Sequence, residues 1–341
     1  MGEQPVLQQP LPQQPLPQPL PQRPLLLVIC GPTAVGKSAL ALRLAVRLRG
    51  EIISGDSAQV YRGMDIGTAK PTREERELVP HHLVDVRDPD ERWNVADFRQ
   101  AVDDLVPRIA ARGHLPMLVG GSMLYIRAVT AAYAFPAEAY DPQVRAQLYE
   151  EARRVGSEEL HRRLQEVDPE AAARIHPHDW RRITRAWEVF LITGEPISRH
   201  AARRQPGPYR LLVVGLNRPR AVLYRRIDAR VRQMIDQGLA GEVAALLQRG
   251  YSPHLPSMQA LGYREMVDHL HGLTTREEAE RILGRNTRHF ARRQLSWMRR
   301  EEDMIWIDLG DDIQEEQGIG GQEKSGEEKV VELVEGNRRQ P

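Results

Sequence analysis

Residues 31–38 read GPTAVGKS and match the spacing G-x-x-x-x-G-K-[ST]. That spacing lets a loop wrap backbone N–H groups around a phosphate at the start of a helix. Gly31, Pro32, Thr33, Ala34, Val35 and Gly36 would form the wrap. Lys37 would add a point charge, and the Ser38 hydroxyl is placed to bind Mg²⁺. The pattern implies that a phosphate is held, and it leaves open whether the phosphate is transferred or discarded. Lysine occurs only at 37, 70, 324 and 329 among 48 basic residues. Arginine's planar fork does not replace a compact ammonium in such a loop, so a lysine at 37 supports a working motif.

A second stretch, SGDSAQVYRGMDIGTAKP over 54–71, sets Asp56, Ser57, Gln59 and Tyr61 within six residues. A carboxylate there can cap a turn or accept a proton, and the tyrosine can pack or contact a ligand. A typical phosphate-loop NTPase ends another strand with an acid that helps to hold Mg²⁺. Here LPMLVGGS, 115–122, ends in glycines and Ser122. The histidine pairs HH at 81–82 and HPHDW at 176–180 lack companion ligands at a metal-binding spacing, which favours structural roles.

These residues need a scaffold. LLLVIC (25–30), EIIS (51–54), HLVDV (82–86), LPMLVGG (115–121), RLLVVGL (210–216) and MIWIDL (304–309) read as strands. Helical patterns lie between the early ones, so the fold class is α/β: a phosphate-loop NTPase-like, mostly parallel sheet flanked by helices. The sheet core would span 25–130 and 206–310. From 131 to 205 the alternation stops. Asp141-Pro142, Asp168-Pro169 and Asp179 look like helix starts, with Ile183, Trp187 and Phe190 on one face before Gly194. This reads as an all-α insertion domain. A last helix begins at Thr275, with Glu278 at capping-box spacing. Arg281, Arg285, Arg288, Arg292 and Arg299 share one face of it, either a solvated face or a phosphate-backbone contact.

The chain has 341 residues, enough for two domains, and carries a net charge of +1. The distribution is uneven. Residues 311–341 hold nine acids and four bases, and 1–24 balance to zero, so 25–310 carry +6. A basic body suits a large anionic partner. Residues 1–24 form a Pro/Gln tract, and 311–341 are rich in Gly and Glu; both read as disordered tails whose removal spares the chemistry. One cysteine, Cys30, cannot form an internal disulfide, which suits a reducing compartment. No apolar run approaches the roughly 20 residues of a membrane span, and no signal-peptide layout opens the chain. A soluble cytoplasmic protein with no membrane contact is expected.

GPTAVGKS, DSAQVYRGMDIGTAKP, HHLVDVRDP, LVGGSMLYIRA, DPQVRAQL, LPSMQALGYREM and RRQLSWMRR occur in this order. Together, over 25–309, the chain resembles the tRNA dimethylallyltransferases, also called tRNA isopentenyltransferases. One departure is Ser122, where the family commonly has threonine. The resemblance implies that the loop holds the diphosphate of dimethylallyl diphosphate, with Mg²⁺ as cofactor. The C5 group would pass to N6 of the adenosine 3′-adjacent to the anticodon of tRNA. Asp56 would be the general base, with Ser122 beside the same amine, and Gln59 would read the adenine edge. Lys37, Ser38 and Arg230 would clamp the diphosphate. Contacts to the anticodon stem-loop would come from Asp56, Ser57, Ala58 and Gln59, from Ser122, and from Arg145. Further contacts would be Arg181, Arg182, Ile183, Thr184 and Arg185, then Gln259, Ala260, Leu261, Gly262, Tyr263 and Arg264. The last set is Arg292, Arg293, Gln294, Leu295, Ser296, Trp297, Met298 and Arg299. The chain is expected to act as a monomer. Three other readings remain open on the residues alone: a small-molecule or nucleotide kinase, a prenyltransferase of free adenine nucleotides, and a non-catalytic RNA-binding protein.

Overall fold

The computed structural model describes residues 23–131, 139–203, 206–310 and 325–338. Apolar runs form the sheet. Leu25–Cys30 (β1), Gly50–Ser54 (β2) and Leu115–Gly120 (β4) are buried at every position, as strands covered on both faces must be. With His81–His82 (β3), Arg210–Asn217 (β5) and Ile305–Asp308 (β6) they pair in parallel, in the order β3-β2-β4-β1-β5-β6. β1 has β4 on one side and β5 on the other, so the connections diverge at its carboxyl end. Open α/β sheets bind ligands there, and GPTAVGKS leaves β1 at that point.

Alternate residues of β1 feed two apolar layers. Leu25, Leu27 and Ile29 pack with Lys37–Leu48 (α1), Arg220–Asp236 (α10), Leu239–Gln248 (α11), Tyr263–Leu270 (α12) and Arg276–Met298 (α13). Leu26, Val28 and Cys30 pack with Val95–Ala111 (α3) and Met123–Thr130 (α4). A short helix, Arg73–Leu78 (α2), precedes β3. Residues 142–202 form only helices: Pro142–Val155 (α5), Ser157–Val167 (α6), Pro169–Arg174 (α7), Trp180–Thr193 (α8) and Ile197–Ala202 (α9). The starts of α5, α7 and α8 are capped by Asp141, Asp168 and Asp179, whose carboxylates accept backbone N–H groups of the first turn. Leu164, Ala172 and Ala186 make a small core of their own. Among the described residues no helix is long and apolar enough to cross a membrane.

Two expectations need correction. HLVDV does not continue as a strand beyond His82. Leu83 and Asp85 take left-handed φ of 60° and 56°, which turns the Asp85 carboxylate onto Lys70 and Arg76. The acidic C-terminal stretch is not wholly unstructured, because Gly326–Arg338 forms a helix (α14). Val330, Val331 and Val334 are buried there against the α1 side of the sheet, and Glu327 pairs with Arg43 and Arg47. The high acid count hid three valines on one helical face. The Pro/Gln tract through residue 22 and residues 311–324 lie outside the described residues.

A fully buried valine is worth roughly 1.5–3 kcal/mol. A chain ending at residue 310 is therefore expected to lose several kcal/mol, with a thermal midpoint lower by on the order of 10 °C. Equal midpoints by differential scanning calorimetry would show that α14 adds nothing.

Candidate active site

The phosphate loop is held from behind. Arg218 Nε donates to the Val35 carbonyl at 2.9 Å, and Arg226 Nε donates to the Ala34 carbonyl at 2.8 Å. These two bonds fix the Ala34 and Val35 carbonyls, while the Val35 N–H donates to the Pro32 carbonyl at 3.3 Å. Ala34 and Gly36 adopt φ of 64° and 110°, which lets the chain turn into α1. Lys37 Nζ donates to the Pro32 carbonyl at 2.9 Å. Burial, and then the neighbouring Arg230, pull Lys37 down to about 8, with Asp56 opposing. Arg230 is itself lowered by burial, and Asp56 again opposes. Lys37 and Arg230 thus share a pocket with Asp56, the one carboxylate that opposes both shifts, an arrangement that favours an added anion. Ser38 is exposed at the same pocket, and its hydroxyl has no hydrogen-bond partner among the described residues.

The acceptor side is built by two strand ends. Gly55 N–H donates to the Val119 carbonyl at 2.7 Å, and Ser122 N–H donates to the Gly55 carbonyl at 3.3 Å. A Cβ on Gly120 would sit 2.3 Å from the Gly55 carbonyl oxygen, so only glycine permits this approach. It brings Asp56 beside Ser122. Asp56 Oδ1 accepts from Ala58 N–H at 2.9 Å, while no hydrogen bond among the described residues engages Oδ2. Ser122 Oγ accepts from Ser57 N–H at 3.0 Å. Thr33, Asp56, Thr68, Arg230 and Phe290 line two adjoining cavities, of about 330 and 360 Å³. One of them reaches Lys37 and Ser38. The other is walled by Ile227, Val231, Met234, Leu261 and Leu283, and Arg264 and Arg293 stand at it.

The 54–71 loop is braced by residues that sequence reasoning missed. Lys70 Nζ, almost fully buried, donates to the Tyr61 carbonyl and the Asp85 carboxylate at 2.5 Å and to Asp65 at 2.6 Å. Burial alone would raise Asp85, but Lys70 and Arg76 hold it below the usual carboxylate range. Glu242 accepts from the N–H groups of Asp65, Ile66 and Gly67 at 2.9, 2.8 and 3.3 Å, and from the Tyr263 hydroxyl at 2.6 Å. The rarity of lysine was a signal for Lys70; nothing local pointed to Glu242.

The structure redistributes the expected RNA contacts. Ser57, Ala58, Gln259, Ala260, Leu261 and Arg264 line the Asp56 cavity. Arg181, Arg182, Arg292, Arg293, Ser296 and Arg299 are exposed, and Trp297 is partly covered. Others face inward. Ile183, Thr184, Gly262, Tyr263 and Met298 are buried, and Leu295 packs on the core. Gln59 is not free to read a base: its Oε1 accepts from Ser54 at 2.7 Å, and its Nε2 donates to the Thr68 and Ala69 carbonyls at 3.2 Å. Gln294 is buried and joins the Thr33 N–H at 2.9 Å to the Gly121 carbonyl at 2.7 Å. Arg145 and Arg185 both bind the buried Glu188 carboxylate, at 2.6 Å each. The insertion's core uses these two arginines, so neither offers a free guanidinium.

The sequence model of the IPP transferase family matches residues 59–301. The chain belongs to that family. Family members similar to it include the tRNA dimethylallyltransferase of Symbiobacterium thermophilum, 54% identical over 83% of this chain and 89% of that one. The Heliobacterium modesticaldum enzyme of the same name is 53% identical over 82% and 88%. Among solved structures, the tRNA isopentenylpyrophosphate transferase of Bacillus halodurans is 43% identical, with a TM-score of 0.63 over 92% of this chain and all of that one. A eukaryotic dimethylallyltransferase acting on tRNA superposes with a TM-score of 0.73 at 26% identity, over 88% of this chain and 77% of that one. The family match begins after the phosphate loop and Asp56; the relatives and the geometry cover those residues.

Lys37 gives this IPP transferase a pH signature. Its ammonium is lost as pH rises through about 8. Affinity for inorganic diphosphate, measured by titration calorimetry, should therefore fall across about pH 7 to 9, more steeply than ligand ionisation alone explains. Lys37→Ala should bind more weakly and lack the added slope. Parallel pH curves for the two proteins would remove Lys37 from the anion site.

Proposed function

We propose that this chain, acting as a monomer, transfers the dimethylallyl group of dimethylallyl diphosphate to N6 of the adenosine 3′-adjacent to the anticodon in tRNA, releasing diphosphate. One observation carries the reading: a carboxylate oxygen without a hydrogen-bond partner among the described residues, Asp56 Oδ2, shares a cleft with Lys37, Arg230 and an apolar wall. The apolar wall suits a C5 chain. The loop amides, Lys37 and Arg230 suit the diphosphate. The adenosine N6 attacks C1 of the prenyl group, the C1–O bond breaks, and the electron pair leaves on diphosphate. Asp56 takes the N6 proton as the N–C bond forms, so an ordinary carboxylate suffices. The loop holds negative charge where it develops. Ser122, tied to Ser57, stands beside the amine. A base must leave its stack to reach this cleft, which a single-stranded loop allows.

The residues fit Mg²⁺ bound mainly through diphosphate oxygens and water, with Ser38 as the protein ligand, because this cation seldom uses an all-protein cage. When bound it would neutralise charge on the leaving diphosphate. A kinase reading is disfavoured at the end of β4. Gly120 and Gly121 stand there instead of an acid, and a Cβ on Gly121 would displace Gln294 Nε2, 2.5 Å away.

The RNA would meet α13, where Arg285, Arg292, Arg293 and Arg299 are exposed. Arg281 and Arg288 on the same face are paired with Glu278 and Asp228. Lost hydration and the field of Arg292, Arg285, Arg293 and Arg288 hold the His289 imidazole below its usual range, a mark of uncompensated positive charge.

The deciding experiment mixes protein, Mg²⁺, dimethylallyl diphosphate and unmodified tRNA, then weighs the nucleosides; one adenosine should gain a C5 unit. Phosphoryl transfer from ATP without prenyl transfer would overturn the proposal. Asp56→Asn keeps shape and removes charge, so single-turnover transfer should slow about 10²–10⁴-fold, with both substrates bound within a few-fold of the parent. A rate within about threefold of the parent would exclude Asp56 as the base. Replacing Arg292 and Arg299 together with alanine should weaken RNA binding and flatten its log–log salt dependence by about one to two units. An unchanged slope would place the RNA elsewhere.

A further inference from the structure

A groove of about 520 Å³ runs along the outer edge of the sheet, and none of its lining residues belongs to the cleft described above. One wall is the edge strand β6, where Ile305 and Trp306 are 40% and 36% exposed. The other is a face of α14 on which Lys329, Leu333, Gly336 and Asn337 follow at helical spacing. That face has room to spare, since a Cβ on Gly336 would meet nothing within 4 Å. β6 begins opposite Val214, so residues 210–213 of β5 also have no strand beyond them among the described residues, and Leu211 is exposed there. An open strand edge flanked by apolar side chains is a surface that proteins normally cover.

Three occupants lie within reach. A second copy would need about 800 Å² on each partner for a stable interface, more than one short groove supplies. The stretch 311–324 leaves from the carboxyl end of β6 and carries five acids and one base, a composition that gains little from an apolar wall. The Pro/Gln tract enters at the groove itself. Arg210 joins the two: its Nε donates to the Arg23 carbonyl at 3.4 Å, and its guanidinium also donates to the Asn337 carbonyl at 3.5 Å. Leu20 and Leu16 are three and seven residues before Arg23, at most about 11 and 25 Å of extended chain. Each is followed by a proline, at 21 and 17. Proline fixes φ in advance, so docking costs little backbone entropy, and aromatic-lined grooves take such segments. Trp306 supplies the ring. Attachment at residue 23 gives an effective concentration in the mM range, so weak contacts suffice.

We infer that the N-terminal tract of this chain, over residues 14–22, docks in the groove between β6 and α14, with Leu16 and Leu20 against Trp306 and Leu333. The docked tract covers the sheet edge and blocks its pairing with other chains. The inference is independent of the proposed function.

The test labels the full chain with 5-fluorotryptophan, which gives one fluorine NMR signal for each of its five tryptophans; Trp306→Phe identifies the signal of Trp306. Leu16→Asp together with Leu20→Asp should shift that signal alone. The same pair should speed amide exchange at 305–308 and 329–337 about 3- to 10-fold, the loss expected when a tethered ligand present at a few times its Kd is released. Gly336→Leu fills the groove and favours the helix, so it should expel the tract without harming the fold. In that background the two aspartates should change nothing further. An aspartate pair that leaves signal and exchange unchanged would overturn the inference, and so would equal effects with and without Gly336→Leu. Changes that appear with Gly336→Leu but not with the aspartates would give the groove to 311–324. Protection that falls on dilution of the parent would give it to a second copy. Either result overturns the inference.

Discussion

A side chain at Gly120 or Gly121 has no room. At Gly120 a Cβ would meet the Gly55 carbonyl at 2.3 Å; at Gly121 it would meet Gln294 Nε2 at 2.5 Å and the Gly31 carbonyl at 3.1 Å. Four segments converge on these two residues: the start of the phosphate loop, the Asp56 turn, Ser122, and α13 through Gln294. At Gly120 the contacts are backbone to backbone, so no rotamer change can loosen them; at Gly121 the closest atom is the end of the Gln294 side chain. The leaving-group site and the proton acceptor therefore belong to one rigid unit, which catalysis by positioning requires.

Two lysines show how environment decides role. Lys70 faces two carboxylates and a carbonyl, and its charge is answered inside the protein. Lys37 faces a carbonyl and, nearby, another cation, Arg230; one shared aspartate opposes both. Desolvation dominates at Lys37, and the ammonium is left poised to gain from an anion. A buried charge whose partner is removed is costly, so Lys70 serves structure. Lys37 lacks its partner until a ligand brings one.

The arginines divide in the same way. Counting charges over 25–310 suggested a uniformly basic body, yet Arg145 and Arg185 share Glu188, and Arg218 and Arg226 hold loop carbonyls. The uncompensated charge concentrates on α13, whose opposite face carries Gln294 to the phosphate loop. One helix thus presents guanidiniums outward and positions the catalytic loop inward.

Local chemistry was legible in the sequence. GPTAVGKS, the Asp-Pro helix starts and the strand alternation could be read because each depends on backbone conformation within a few residues. Asp56 stood out because a carboxylate, a hydroxyl and an amide were crowded after a strand. The C-terminal helix was missed because composition outweighed the period of three valines. Gln59, Gln294, Arg145 and Arg185 were expected at the RNA, and their engagement within the protein was not legible for another reason. Residue type tells what a group can donate or accept, but only the tertiary structure decides whether that capacity is already used. Ser54, Gly121 and Glu188 use it here, and the Gln294–Gly121 and Arg145–Glu188 contacts cross more than forty residues of chain. Hydrogen-bonding capacity is finite, so an assigned donor cannot also read a base, and the allocation is made only when distant segments pack.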